Sequence, residues 1–180
     1  TVRKEVYLLS AVFEFAEKEC GLSLPRGNPV RKVRKPSDGA PRERRLTTSE
    51  WAVLEKECAK SRNPLLLPAL RFAAETAMRQ AEMLNLAWSS VDMDRRMLLL
   101  GDPLKIKNGE ARGVPLSTRA LKILGELPRD SELVFPVTRE ALHYVFKGAV
   151  KRAKINDYTW HDIRHEALSR LGERGDMTIF

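Results

Sequence analysis

Three side chains able to carry positive charge share one helical face near the end of the chain. In TWHDIRHEALSRL, residues 159–171, His161, Arg164 and His165 fall at i, i+3 and i+4, the spacing that stacks side chains on one side of a helix. A folding helix gains nothing from cations placed there, so the cluster implies an anion in front of it. An arginine fork spans two non-bridging oxygens of a phosphate. A histidine three residues earlier can donate to the same phosphate or take a proton from a nucleophile. His165 has two readings at this point: the same duty, or a buried imidazole bonded to backbone.

Two more cations widen the set. Arg79 follows an apolar run in ETAMRQAEML; an arginine among buried positions must be paired or must meet an anion. Glu82 stands at i+3 and offers the plain alternative of a surface ion pair. Lys107 precedes Asn108-Gly109, where it is either a solvated hairpin-tip lysine or an ammonium reaching a phosphate or a leaving oxygen. Arg112, on the return strand, is either a phosphate contact or cross-strand decoration. Together Arg79, Lys107, His161 and Arg164 would stabilise a pentacoordinate phosphorane. The arginines supply the charge, so no metal and no cofactor is expected. His161 and His165 could ligate a metal, but a zincin helix would carry Glu where Asp162 stands, and the three histidines and two cysteines match no zinc spacing. A nucleophile is missing from the set. Tyr144 and Tyr158 are hydroxyl candidates; Tyr144 lies beside an apolar helical face and reads as core, while Trp160 reads as a core or rim aromatic.

The charge balance points to the same kind of partner. The 180 residues carry a net charge of +8, and residues 26–45 hold eight lysines and arginines against Asp38 and Glu43. A basic excess this concentrated suits a polyanion such as DNA or RNA, or else a solvated linker. No apolar run approaches the roughly 20 residues of a membrane span, and no signal peptide opens the chain. Cys20 and Cys58 are expected to be buried, unpaired thiols in a reducing cytosol. Thr1 in place of Met implies a start inside a longer gene product.

The elements that must position these residues read clearly in places. Residues 2–20 repeat apolar side chains at helical spacing. PRGNPVRKVRKPSDGAPRERR follows, and its prolines make it a linker. Thr47 with Glu50 is a capping-box pattern for a helix bearing Trp51, Leu54 and Cys58. PLLLPALRFAAET, apolar nearly all round, is a central buried helix, and RQAEMLNL a short one. MLLLG is a strand, and LKIKNGEARGVPL predicts two strands about Asn108-Gly109. Ser117, Thr138 and the 160–173 stretch open three further helices. The expected class is α+β, mainly α, with a small three-stranded antiparallel sheet.

The order Arg, Lys, His-x-x-Arg resembles the tyrosine recombinase (phage integrase) family. ETAMRQAEMLNLAWSSVDMDRRML is similar to its first-arginine motif, with Arg79 as catalytic and Glu82 as supporting acid. KIKNGEARGVPLS is similar to its β-hairpin, with Lys107 at the catalytic lysine. WHDIRHEALSRL is similar to its H-x-x-R box, giving His161 and Arg164, with His165 beside them. The resemblance implies residues 1–24 as the last helix of a core-binding (arm) domain, 25–46 as a basic linker and 47–180 as the catalytic domain. It implies a tyrosine attacking a DNA phosphate, a 3′-phosphotyrosine intermediate and four copies of the protein on two DNA sites, in bacterial or phage cytoplasm. The family usually places Gly where Ala77 stands, in T-G-x-R; Ala there argues against a strict left-handed turn. The family's second His or Trp and its tyrosine follow the H-x-x-R box at a distance that falls past Phe180. The expectation is therefore a chain that binds double-stranded DNA without cleaving it. Phosphate contacts are expected from Arg31, Lys32, Arg34, Lys35, Arg44, Arg45, Arg112, Lys151 and Arg152. The rival expectation is a non-catalytic regulator that lays helix 138–154 in the major groove.

Overall fold

The computed structural model describes residues 2–36, 44–100 and 112–173. Two compact units divide the chain, residues 1–42 and 43–180.

The first unit contains α1 (Val2–Lys18) and a 3-10 turn at Pro29–Lys32. The sequence expectation of a bare linker from residue 25 misses this turn. Asn28 Nδ2 donates to the Ser10 carbonyl at 2.9 Å while its Oδ1 accepts from Val30 N at 3.0 Å, and Asn28 and Val30 are buried. The turn therefore docks on α1. Cys20 is exposed here, against the expectation of a buried thiol, because α1 buries none of its residues.

In the second unit, α2 (Thr48–Ala59), α3 (Leu66–Thr76) and α4 (Gln80–Leu84) precede the sheet, and α5 (Thr118–Glu126), α6 (Arg139–Arg152) and α7 (Trp160–Glu173) follow it. Helix α3 is the hub, packing against α2, α5, α6 and α7, and Leu66, Ala69, Leu70, Phe72 and Ala73 are buried along it. A helix hemmed in on several sides has no use for a polar face, and PLLLPALRFAAET has almost none.

Helix starts are set by local side chains. Glu50 N donates to Thr47 Oγ1 at 3.2 Å and Thr47 N donates to Glu50 Oε2 at 2.9 Å, a reciprocal cap. Ser117 and Thr138 accept from Ala120 N and Ala141 N. Arg44 Nη2 also bonds Glu50 Oε1 at 2.6 Å, and that bond, with the backbone bond from Thr47, lowers the Glu50 carboxyl from 4.5 to about 2. A depressed carboxyl stabilises the fold above its ordinary pKa, and the contribution fades as pH falls from 4.5 towards about 2. Glu50→Gln is expected to flatten the acid limb of the melting-temperature profile across that window. An unchanged limb would remove the cap from the account of acid stability.

Among the described residues the sheet is three-stranded and antiparallel, as the expected α+β, mainly α class requires, with one strand the sequence did not signal. Its strands are β1 (Val91–Asp92), β2 (Met97–Leu100) and β3 (Arg112–Pro115), in that order and antiparallel. Strand β3 pairs with β2, Leu98 opposite Val114 and Leu100 opposite Arg112, and β1 completes the ladder. The predicted strand pairing around Asn108-Gly109, and Lys107 with it, lies outside the described residues. Val91–Asp92 gave no sequence signal because two residues are too short to show a period.

Tyr144 is 80% exposed, not core. The buried side of α6 is Leu142, Phe146, Ala149 and Val150. Tyr144 lies two residues from both Leu142 and Phe146, about 200° round the helix, and so points the other way.

Candidate nucleic-acid site

Arg79 stands between α3 and α4 because α3 ends abruptly. Ala77 adopts φ 50°, ψ 25°, the left-handed conformation, and its N–H closes the last turn on the Ala73 carbonyl. The expectation that Ala argues against such a turn is therefore overturned. The turn is paid for by tertiary contacts: Met78 is buried, and an Arg164 Nη1 hydrogen bond from α7 takes the Ala77 carbonyl. A left-handed L-residue costs about 1–2 kcal/mol. Glycine would remove that strain and return part of it as unfolded-chain entropy, so Ala77→Gly is expected to stabilise by about 0.5–1 kcal/mol. A lower melting temperature for the glycine variant would contradict the strain.

Beyond the turn, Arg79 swings its side chain outward, 62% exposed, and pairs with Glu82. Glu82 accepts twice, from Arg79 Nη1 at 2.8 Å and from Arg79 N at 3.0 Å. Glu82 thus orients the guanidinium while capping α4. The ion-pair reading is correct as geometry, and it leaves most of the fork facing solvent.

Helix α7 supplies the other two predicted groups. Its start is fixed by Asp162, which is buried and whose Oδ2 accepts from Thr159 N at 2.7 Å and Thr159 Oγ1 at 2.8 Å. Trp160 is buried beside Phe146, ring centroids 5.0 Å apart and nearly perpendicular. Further along, Glu166 is buried and accepts from Tyr158 Oη at 2.9 Å and from Arg170. Burial and the Glu166 carboxylate push the Tyr158 hydroxyl far above its ordinary range, and the bond to Glu166 makes Tyr158 a buried structural donor. His161 is exposed and Arg164 half-buried.

These residues meet. Arg79, His161 and Arg164 line one cleft of about 280 Å3, floored by Ala73, Met78 and Trp160. His165 does not line it. Its imidazole is exposed and sits edge-on to His161, centroids 4.6 Å apart, so the buried reading of His165 is overturned. Two lining residues were not anticipated: Gln80, at the start of α4, and Arg139, at the start of α6. Nothing local in TREALH marks Arg139, because only the packing of α4 on α6 brings it to the cleft.

The remaining nominated cations divide. Arg44 bonds Glu50, Arg45 bonds Glu173 at 2.6 Å, Arg152 Nε bonds Glu57 at 3.1 Å and Arg31 bonds Glu14 at 2.9 Å. These four are engaged in internal pairs. Lys32, Arg34, Lys35 and Lys151 are exposed. Arg112 lies in β3, opposite Leu100. A larger cavity, about 420 Å3, opens among α2, α3, α5 and α7, but each of its cations meets a carboxylate: Arg71 that of Glu55, Arg119 that of Glu75, Lys122 that of Glu126 and Arg170 that of the buried Glu166. It offers no surplus charge to an anion. Cys58 is buried, and burial pushes its thiol up to about 12. Among the described residues, no group of three His, Cys, Asp or Glu side chains is placed to hold a metal, and no helix is long and apolar enough to cross a membrane.

The model of the phage integrase family matches residues 44–179. A shufflon-specific DNA recombinase of Escherichia coli is 39% identical over 180 residues, which is 99% of this chain and 45% of that protein. Lambda integrase, solved as a tetramer bound to a Holliday junction, superimposes with a TM-score of 0.73 at 21% identity, covering 94% of this chain and 53% of that one. The Tn1549 transposon integrase, solved with circular intermediate DNA, gives a TM-score of 0.75 at 15% identity, covering 98% and 67%. At those identities the two structures establish the fold alone. The chain spans about half the length of the curated relatives it matches.

Proposed function

Given that this chain belongs to the phage integrase family, we propose that it acts on double-stranded DNA as the phosphate-gripping part of a site-specific recombinase. One observation carries the reading. Arg79 and the pair His161 and Arg164, more than 80 residues apart in sequence, line the same cleft. A groove-reading regulator has no need for that convergence. Its best support is α6, whose exposed face carries Arg139, His143, Lys147 and Lys151 at four-residue steps. That face suits DNA in either reading.

In the proposed reaction a tyrosine hydroxyl attacks the scissile phosphorus and the 5′-oxygen leaves, giving a 3′-phosphotyrosine. Arg79 and Arg164 neutralise the two non-bridging oxygens as negative charge builds on the phosphorane. His161 donates to the same centre or relays the nucleophile's proton. Lys107 protonates the leaving oxygen. Glu82 holds Arg79 in position through its paired acceptors. A second strand's 5′-hydroxyl then attacks the phosphotyrosine, which rejoins DNA without an external energy source. Pairing of two sites requires other copies of the protein, and four are proposed, as in the lambda integrase tetramer. Bacterial or phage cytoplasm is the proposed setting, in keeping with the Escherichia coli relative.

The test is equilibrium binding of this chain to duplex DNA across a salt series. Each phosphate neutralised contributes about −0.9 to the slope of log affinity against log salt. Arg79→Ala and Arg164→Ala should each make the slope shallower by about 1. An affinity indifferent to salt would overturn the proposal.

A further inference from the structure

We propose that Arg139 and Gln80 form a second phosphate contact in the cleft, holding a DNA backbone phosphate beside the one assigned to Arg79, His161 and Arg164. The inference rests on the function proposed above and extends it to residues outside both motifs. Two independent observations carry it.

The first is a cation without an anion. Arg139 is exposed, lines the cleft, and makes no ion pair among the described residues. Four other arginines of the second unit do meet a carboxylate: Arg71 with Glu55, Arg79 with Glu82, Arg119 with Glu75, Arg170 with Glu166. The second is a donor without an acceptor. Gln80 Nε2 is buried and has no hydrogen-bond partner. Buried donors are nearly always satisfied, and an orphan asks for a partner that binding can bring. Both groups line the same cleft, and α4 packs on α6.

Both side chains line the cleft, and a guanidinium and an amide N–H are each donors suited to the oxygens of an anion. In a cleft whose other walls carry Arg79 and Arg164, that anion is a phosphodiester of the same strand. Arg139 also begins the exposed line His143, Lys147, Lys151, each four residues on and so on one helical face. The strand's phosphates would leave the cleft along that line.

The experiment is duplex binding by the whole 180-residue chain over a salt series, with two unrelated DNA sequences. Arg139→Ala and Arg139→Gln should each make the salt slope shallower by about 1, equally for both sequences. Gln80→Ala should lower affinity while leaving the slope unchanged, since it removes a neutral donor. Arg62→Ala, an exposed arginine outside the cleft, should leave slope and affinity unchanged. Slopes for Arg139→Ala and Arg139→Gln that match Arg62→Ala would overturn the inference, and so would an effect confined to one sequence, which would mean base reading. If Arg79→Ala and Arg164→Ala lose slope while the Arg139 variants do not, only this second contact fails. If none of the four loses slope, the phosphate cleft itself fails. Arg139 is exposed at the first turn of α6, so matched thermal melts of its variants are expected and confirm that the fold is kept.

Discussion

On the function proposed above, Arg164→Lys is expected to slow covalent DNA cleavage by about 10²–10³-fold, the range for losing one preorganised donor at a developing charge. The charge survives this substitution, so the loss isolates geometry. One N–H of Arg164 is committed to the Ala77 carbonyl. Its planar fork also lines the cleft, where Arg164 stands with Arg79 and His161. A lysine ammonium cannot hold the carbonyl and a phosphate oxygen with one rigid plane. The measurement is single-turnover formation of the protein–DNA adduct on a nicked duplex, in a form of the protein extended to the length of its relatives. Duplex binding by Arg164→Lys should stay close to that of the unsubstituted chain, because the number of neutralised phosphates is unchanged. Full-rate cleavage by the lysine variant would show that charge alone suffices and would refute the fork.

Phe146→Ala should cost about 3–5 kcal/mol of folding stability, the usual range for deleting a buried aromatic ring. Phe146 is 2% exposed and touches the two rings that introduce α7, Trp160 at 5.0 Å and Tyr158 at 6.4 Å between centroids. Against a total stability of about 5–15 kcal/mol, that loss brings the second unit close to unfolding at ambient temperature. Urea denaturation monitored by tryptophan fluorescence reads it directly, and Phe146→Leu should lose much less because it refills most of the space. A loss under about 1 kcal/mol would mean that the site relaxes around the hole. DNA binding should weaken with stability in the alanine variant, since Trp160 both packs on Phe146 and lines the cleft. Stability falling with binding intact would separate the aromatic cluster from the site.

Features that depend on neighbours a few positions away can be read directly from the order of residues. Thr47 with Glu50, Ser117 and Thr138 announce helix starts because a cap is a bond across three residues. The motifs around Arg79 and His161–Arg164 were legible for the same reason, and so was the apolar α3. The tertiary structure alone decided the rest. Whether an arginine is available is settled by partners far along the chain: Arg45 meets Glu173 across 128 positions and Arg152 meets Glu57 across 95. The left-handed turn at Ala77 stands because Arg164, 87 residues later, takes its carbonyl. Arg139 and Gln80 reach the cleft only through the packing of α4 on α6. Tyr144 and His165 came out exposed because a helix's orientation against its neighbours, not the residue types on it, selects the face that is buried. Local hydrogen bonds are written in short spacings, while burial and pairing are properties of the closed chain.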